Sequence, residues 1–370
     1  MLRTLSPSPI AWATSFLAFG ALLFSSSPAD AQESSQWSSV NESFEIGYAT
    51  EFDGVQIFPI RTVETSPAKS DVLSLKEALN TGNISVLEQG DGNVSQLTVV
   101  NTGDKPVLLA VGDVVEGGRQ DRVIVSDAII PPTKTPTTVA VNCVEQGRWT
   151  EGAQRVAFRY GGRGESALKK VLQVDANQQA TWGAVAQLNG TKGSRIQQLA
   201  SLEAPPVLGP VGSIGGLQQH HGILAQLQPS TGSYMASLNS AAVETHLESY
   251  TEAMEPVLSE RGLVGIVIAL DGELVAAEAY GDTRLFRASS KDIIRSVGLD
   301  ALSRTSSSTT ESEASLEDAA QFLREALSAS PSSALSSPLG TDVRKISDSA
   351  SAFEFHDSFG NLLHLNVYAH

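Results

Sequence analysis

Two short stretches concentrate the residues best able to do chemistry. VVEGGRQDRV, residues 114–123, sets Glu116, Arg119, Gln120, Asp121 and Arg122 between apolar runs, and VNCVEQGRW, residues 141–149, carries Cys143, Glu145, Arg148 and Trp149. Guanidinium forks suit carboxylate and phosphate, and glycines let a backbone approach an anion closely. Arg119, Arg122 and Arg148 with the Gly118 amide are therefore candidate anion binders, with Gln120 as a polar partner. Glu145 or Glu116 could serve as a general base if the chain is a hydrolase. Trp149 could wall a planar ligand or simply pack in a core. Cys143 lies two residues from a glutamate with no histidine near it in sequence, a setting that disfavours the thiolate. It is expected to be buried and to line a ligand rather than attack one.

The competing reading of the first stretch is plain structure. Gly117-Gly118 can form the centre of a two-residue hairpin turn, with Glu116 and Arg119 facing each other as a surface ion pair. If residues 119–123 are extended, Gln120 and Arg122 point opposite to Arg119 and Asp121. One of those faces abuts a core, so one arginine is expected to be partly buried and paired.

Other chemistries find little support. The segment 160–170, YGGRGESALKK, imitates a dinucleotide fingerprint at Gly162-Arg163-Gly164, but a helix follows where a second strand is required. No histidine pair has zinc-ligand spacing: His220-His221 sits in a glycine-rich stretch, and His246, His356, His364 and His370 are scattered. No metal and no cofactor are expected. The formal charge of −16 argues against nucleic acid and anionic membrane surfaces as partners. Between Lys105 and Lys170, however, ten Lys or Arg stand against seven acids, and six of the ten are Arg. The sequence sets no oligomeric state.

The elements that must position these residues are legible in outline. Residues 1–31 read as a cleaved signal peptide, with Arg3, an apolar run over 10–24 and Ala29-Asp30-Ala31. Export to the periplasm or the extracellular space follows, with no integral membrane segment after cleavage. Residues 32–302 read as the main domain. Closely spaced alternating runs from 45 to 145 predict an antiparallel meander, with a turn near Asp53-Gly54. Helical periodicity takes over from Glu165, and the long segment 233–254 places Leu238, Ala242 and His246 on one face. GLVGIVIAL and ELVAAEAY follow as a hairpin about Asp271-Gly272, and KDIIRSVGLDALS reads as a helix. Residues 303–340 read as Ser/Thr-rich linkers around one helix capped by Ser315. Residues 341–370 read as a terminal hairpin that rejoins the main sheet. The expected class is α+β, a largely antiparallel sheet of N-terminal meander and C-terminal hairpins with helices packed on it.

The residues also carry a resemblance. LTVVNTGDKPVLLAVGDVVEGGRQDRVIVSDAIIPP followed by VAVNCVEQGRW is similar to the uncharacterised bacterial and archaeal domain named for its association with ADP-ribosylglycohydrolases and rhodanese-phosphatases. Gly118, Arg119, Gln120 and Arg122 match one motif of that family, and Cys143, Glu145, Arg148 and Trp149 match another. The likeness covers most of residues 45–300, with weaker agreement at Gln179 and Trp182. It implies an α+β domain and a link to ADP-ribose or NAD metabolism inferred from neighbouring proteins. An export signal departs from that picture, because the space outside the inner membrane is poor in both compounds. Two expectations follow: an exported domain binding a small anionic, nucleotide-like or ADP-ribose-like ligand through the Arg/Gln/Glu cluster, or a non-catalytic structural or interaction module of the cell envelope in which the motifs pair only with each other.

Overall fold

The computed structural model describes residues 37–63, 71–90, 93–146, 157–203, 234–238, 241–304 and 313–370. The signal-peptide reading, Arg148, Trp149, His220 and His221 lie outside those residues. The chain opens with strands β1 (Trp37–Ser39), β2 (Phe44–Gly47), β3 (Thr50–Phe52) and β4 (Val55–Thr62). Phe52 pairs with Val55 across Asp53-Gly54, both at positive φ (47° and 69°), so the expected tight turn forms where it was read. After β5 (Leu73–Ser74), the helix Leu75–Asn80 starts on a capping box between Ser74 and Glu77.

The meander follows as β6 (Ile84–Glu88), β7 (Gln96–Asn101), β8 (Val107–Leu109), β9 (Asp113–Glu116), β10 (Arg122–Ile124), β11 (Ala128–Ile130), β12 (Thr137–Cys143) and β13 (Arg159–Arg163). Six of these strands make a sheet in the order β13-β9-β10-β12-β7-β6, and β11-β8-β5 make a smaller one. Gly162 and Arg163, the first residues of the Gly162-Arg163-Gly164 stretch that imitates a dinucleotide loop, are the end of β13, paired with β9 through a bulge. Helices Ser166–Val174, Gln178–Glu203, Tyr234–Leu238 and Ala241–Leu258 come next. The long segment read over 233–254 is thus described as two helices, with residues 239–240 outside the described set.

β14 (Leu263–Leu270) and β15 (Glu273–Tyr280) turn at Asp271-Gly272, again with both residues at positive φ. The helix read from Lys291 begins earlier and spans Thr283–Ser303, because Asp282 caps it by accepting from the Leu285 amide at 2.8 Å. Helix Leu316–Ser328 starts on Ser315 as expected. The chain then forms β16 (Pro331–Ser337), β17 (Gly340–Ile346), β18 (Ala350–His356) and β19 (Leu362–Ala369). The second Ser-rich stretch is therefore a strand rather than a linker. Its residues are exposed, so composition alone gives no packing signal, and pairing with β17 supplies the order. The large sheet runs β1-β2-β4-β14-β15-β19-β18-β17-β16, with β3 added on β4.

β14 sits at the centre of the packing. Leu263, Ile266 and Ile268 join Tyr250, Met254, Ile293, Ile294 and Val297 in one core. Val264, Val267 and Ala269 join Ala319, Phe322 and Leu323 in another. Helices 241–258 and 283–303 thus cover one face of the large sheet and helix 316–328 the other, which is why this strand reads as an unbroken apolar run. The architecture is α+β with large antiparallel sheets, as the sequence predicts.

Candidate functional site

The motif residues assemble around the loop between β9 and β10. Arg122 pairs with Val115 and Val123 with Val114, and the connection between the two strands spans residues 117–121, longer than the two-residue turn expected at Gly117-Gly118. The loop is tied down internally: the Gly117 amide donates to Asp121 Oδ1 at 2.9 Å and the Arg119 amide to Glu88 Oε1 at 2.8 Å. Gly118 has φ +55°, and a Cβ there would stand 2.5 Å from the Phe158 ring and 2.6 Å from Glu88 Oε1. Any side chain there would push on Phe158 and Glu88 and hold a backbone conformation that favours glycine. Glu116 does not pair with Arg119 across a turn. The β9–β13 register sets it opposite Arg159, whose guanidinium it meets at 2.6 Å.

Arg122 is fully buried. Its Nη1 donates to the Gln120 carbonyl at 2.6 Å, and its Nη2 stands 3.7 Å from Glu88 Oε1. The Gln120 side chain donates to the Glu145 carbonyl at 3.1 Å and accepts from Cys143 Sγ at 3.0 Å, while Glu145 Oε2 accepts from the Asp121 amide at 3.3 Å. Gln178 clamps the Cys143 backbone, accepting from its N–H and donating to its carbonyl, both at 2.8 Å. Burial pushes the Cys143 thiol up, opposite to what a nucleophile needs. Gly118, Gln120, Arg122, Cys143 and Glu145 are thus brought together, buried, while Arg119 is partly exposed.

A second cluster gathers between the sheets from residues that are far apart in sequence. The β15–β19 register sets Tyr280 opposite His364 and Glu278 opposite Asn366. Strand alternation then turns Glu278, Tyr280 and His364 to one face. β13 supplies Arg163, β9 supplies Asp113, helix 166–174 supplies Lys169, and the turn after β10 supplies Asp127. Arg163 bridges Asp113 at 2.9 Å and Glu278 at 2.6 Å, and Lys169 reaches the other Glu278 oxygen at 2.5 Å. Gly112, at φ +85°, makes room for the Lys169 stem, since a Cβ would lie 2.5 Å from Lys169 Cγ. His364 Nδ1 stands 3.0 Å from Asp127 Oδ1, and its Nε2 lies 3.3 Å from Glu278 Oε1 and 3.2 Å from Arg163 Nη2.

Burial and charge compete differently at each group. Burial raises Asp113 to about 6 despite Arg163 beside it. Burial also opposes charge on Glu278, but Arg163 and Lys169 outweigh it and hold that carboxyl well below the usual range. Burial works against a proton on His364, yet Asp127 and Glu278 raise its affinity for one. Burial, joined by neighbouring carboxylates, lifts the Tyr160 and Tyr280 phenols well above their ordinary value, so both remain hydrogen-bond donors.

This second cluster borders a narrow cleft of about 10 Å³ lined by Lys76, Asp113, Tyr160, Arg163, Tyr280 and Asp292, together with the hydroxyl-bearing Ser74 and Ser289. Lys76 closes one side, 2.8 Å from Asp292 Oδ2, with its ammonium 5.7 Å from the Tyr160 ring centroid. Gly118, Arg119, Gln120, Arg122, Cys143 and Glu145 do not line it, nor does Glu116. Sequence reading missed Asp113, Asp292, Glu278, His364 and Lys76 as site residues. The available signal was a charge or imidazole at an inward position of an apolar strand, as in ELVAAEAY and LLHLNVYA. Among the described residues, no group of three or more His, Cys, Asp or Glu is placed to hold a metal ion, and no helix is long and apolar enough to cross a membrane.

A sequence profile for the ARG and Rhodanese-Phosphatase-superfamily-associated Protein domain, ARPP-1, matches residues 43–368. The chain belongs to the ARPP-1 family. The match runs from β2 to the end of β19, so it takes in both clusters. No curated protein and no solved structure matches the chain. Within this ARPP-1 domain, Gly118, Gln120, Arg122, Cys143 and Glu145 fasten the β9–β10 loop to the end of β12, while Arg163 and its partners join both sheets at the edge of a cleft.

Proposed function

We propose that this ARPP-1 chain is an exported domain that binds a small anionic ligand in the cleft at Arg163, and that Asp113 exchanges a proton there. The observation that carries this reading is the convergence of Lys76, Arg163, Asp113, Asp292 and two tyrosines on one cleft. Buried charge is costly, and groups of perturbed proton affinity gather at functional sites. Arg163, Lys169 and His364 face Asp113, Asp127 and Glu278, all six of them buried. A proton on Asp113 leaves one positive charge in excess beside the cleft, and Lys76 adds a donor from the opposite wall. The protonated Asp113 would also be placed to hand a proton to a leaving oxygen, which is the hydrolase form of the proposal. Export rests on the composition of residues 1–31.

The test is thermal unfolding of the full chain with a panel of phosphate, sulfate, short carboxylates and ADP-ribose. A ligand that binds only the folded state raises the midpoint. The expected shift is larger near pH 5 than near pH 8, is removed by Lys76→Met, and loses its pH dependence in Asp113→Asn. A parent protein that shifts with none of the panel overturns the reading. The second reading, a non-catalytic structural or interaction module of the envelope, is favoured by one observation: Arg122 and Glu145 are buried inside their own cluster. Silence across the panel would leave it standing.

A further inference from the structure

The large sheet ends in two edges built differently. At one end β1 is three residues long, and Arg324 donates to the Ser39 carbonyl at 2.9 Å. Short edges and charged side chains beside them discourage the addition of another strand. At the other end β16 is seven residues long and exposed throughout, and its sequence PSSALSS carries no ionisable side chain. Among the described residues, no strand pairs with its outer side. Its serine hydroxyls turn towards β17 instead of capping that side: Ser332 donates to the Arg344 carbonyl, Ser337 to the Gly340 carbonyl, and Ser336 meets the Thr341 hydroxyl, all within 3.2 Å.

The β16–β17 register decides which groups the outer side offers. Ser337 pairs with Gly340 across the Pro338-Leu339 turn. Pro338 has no amide hydrogen, so Ser337 and Gly340 themselves exchange the first hydrogen bonds, and bonded positions alternate from there. Leu335 therefore bonds to β17, and the amides and carbonyls of Ala334 and Ser336 point away from the sheet. These two residues flank Leu335, at 70% the most exposed large apolar side chain on the described strands.

We propose that β16 is a self-association edge, to which a second copy of this chain adds its own β16 antiparallel about a two-fold axis at Leu335. In that register Ala334 exchanges two backbone hydrogen bonds with the partner's Ser336, and Ser336 two with the partner's Ala334. Leu335 meets its own copy in the closer, non-hydrogen-bonded kind of pair, with Cα atoms about 4.5 Å apart. An axis at Ala334 would instead set Leu335 opposite Ser333, next to the bulged stretch at 331–333. Charge favours this edge as the meeting place. A chain of formal charge −16 repels its copies, and like charges directly opposite on paired strands destabilise. β16 brings none, and β17 behind it carries Arg344 and Lys345 against Asp342 alone. One added strand buries less than the roughly 1,200 Å² at which standard interfaces begin, so the dimer is concentration dependent.

Sedimentation velocity of the full chain over a roughly hundredfold range of concentration is expected to show the mass rise from one chain towards two. Ala334→Pro removes an outward amide that β17 does not use, and edge strands tolerate proline, so this variant is expected to keep the parent's circular dichroism and stay a monomer. Leu335→Lys sets two like charges face to face on the axis and is expected to do the same. Leu335→Cys is expected to give a disulfide-linked dimer under mild oxidation, because its Cα atoms lie within disulfide reach, whereas Ser333→Cys is not. Cys143 is buried and does not compete. A parent that stays one chain at every concentration overturns the proposal, as does a dimer indifferent to both Ala334→Pro and Leu335→Lys. Cross-linking of Ser333→Cys as readily as Leu335→Cys overturns the axis at Leu335.

Discussion

The Arg122 and Arg163 clusters bury the same guanidinium chemistry with different wiring. Arg122 meets one carboxylate, Glu88, at 3.7 Å, and otherwise leans on a carbonyl of its own loop. Arg163 meets two carboxylates from two different sheets, and one of them is shared with Lys169 and His364. The first arrangement fixes a loop to its neighbouring strands. The second ties the two large sheets together and does so beside a cleft. A buried ion pair contributes little net stability compared with a well-packed apolar substitute, yet losing one member strands the other. The Arg163 network is therefore weak evidence of net stability in itself, while the loss of any one member is expected to be costly.

Removing each guanidinium sharpens this contrast. Arg163→Met is expected to cost roughly 3–5 kcal/mol, read as a fall in the urea midpoint with an unchanged slope. Adding Glu278→Gln should not restore it, because Lys169 and His364 then lose their shared carboxylate. Arg122→Met is expected to cost a similar or smaller amount, but adding Glu88→Gln should recover more than half, since that pair is nearly self-contained. Rescue in both clusters, or in neither, would erase the distinction.

Titration separates the regions at an intermediate scale. Asp113, raised by burial from 3.8 to about 6, holds its proton in the folded chain where the unfolded chain has lost it. Stability is thus expected to rise as pH falls from near 8 towards 5, by about 1.4 kcal/mol from this group, and to reach its full gain only below 3.8. Asp300, raised by burial to about 6, and Asp342, raised by burial and Asp127 to about 7, act in the same direction. So does His364, whose stabilisation is complete below 6.5 and fades as pH rises through its raised value. Glu278 acts the other way, but only as pH falls through its depressed value, below 4.5. Urea midpoints across this range should show the slope, and Asp113→Asn should flatten part of it. A slope unaltered by that change would remove Asp113 from its special place.

The smallest effect belongs to the surface. Arg159 is 73% exposed in its pair with Glu116, so Arg159→Ala is expected to cost less than about 1 kcal/mol in the same unfolding experiment. A larger loss would mean that the β9–β13 edge carries more of the fold than its exposure allows.

Local patterning made the fold largely legible. The Asp53-Gly54 and Asp271-Gly272 turns, the Ser74 and Ser315 caps and the apolar alternation of the meander are written in neighbouring residues, and local physics places them. β16 was hidden because PSSALSS carries no burial pattern of its own and owes its extended form to β17. The candidate site was legible only where chemistry clustered in sequence. Cys143, Gln120 and Arg122 do meet, as VVEGGRQDRV and VNCVEQGRW suggest, but proximity along the chain says nothing about which face is wet. Asp113, Arg163, Glu278 and His364 come from four separate strands, so only the sheet registers bring them together.

His364 lies on β19, the strand that joins β15 to β18 in the middle of the large sheet. Glu278 and Asp127 are made long before it, yet neither has its imidazole partner until residues 362–369 are in place. A chain without β19 would therefore hold incomplete charge pairs and an open gap between β15 and β18. Pairing across such sequence distances is slow to form. β19 thus acts as a latch between β15 and β18, closing the charge cluster and the sheet in one step.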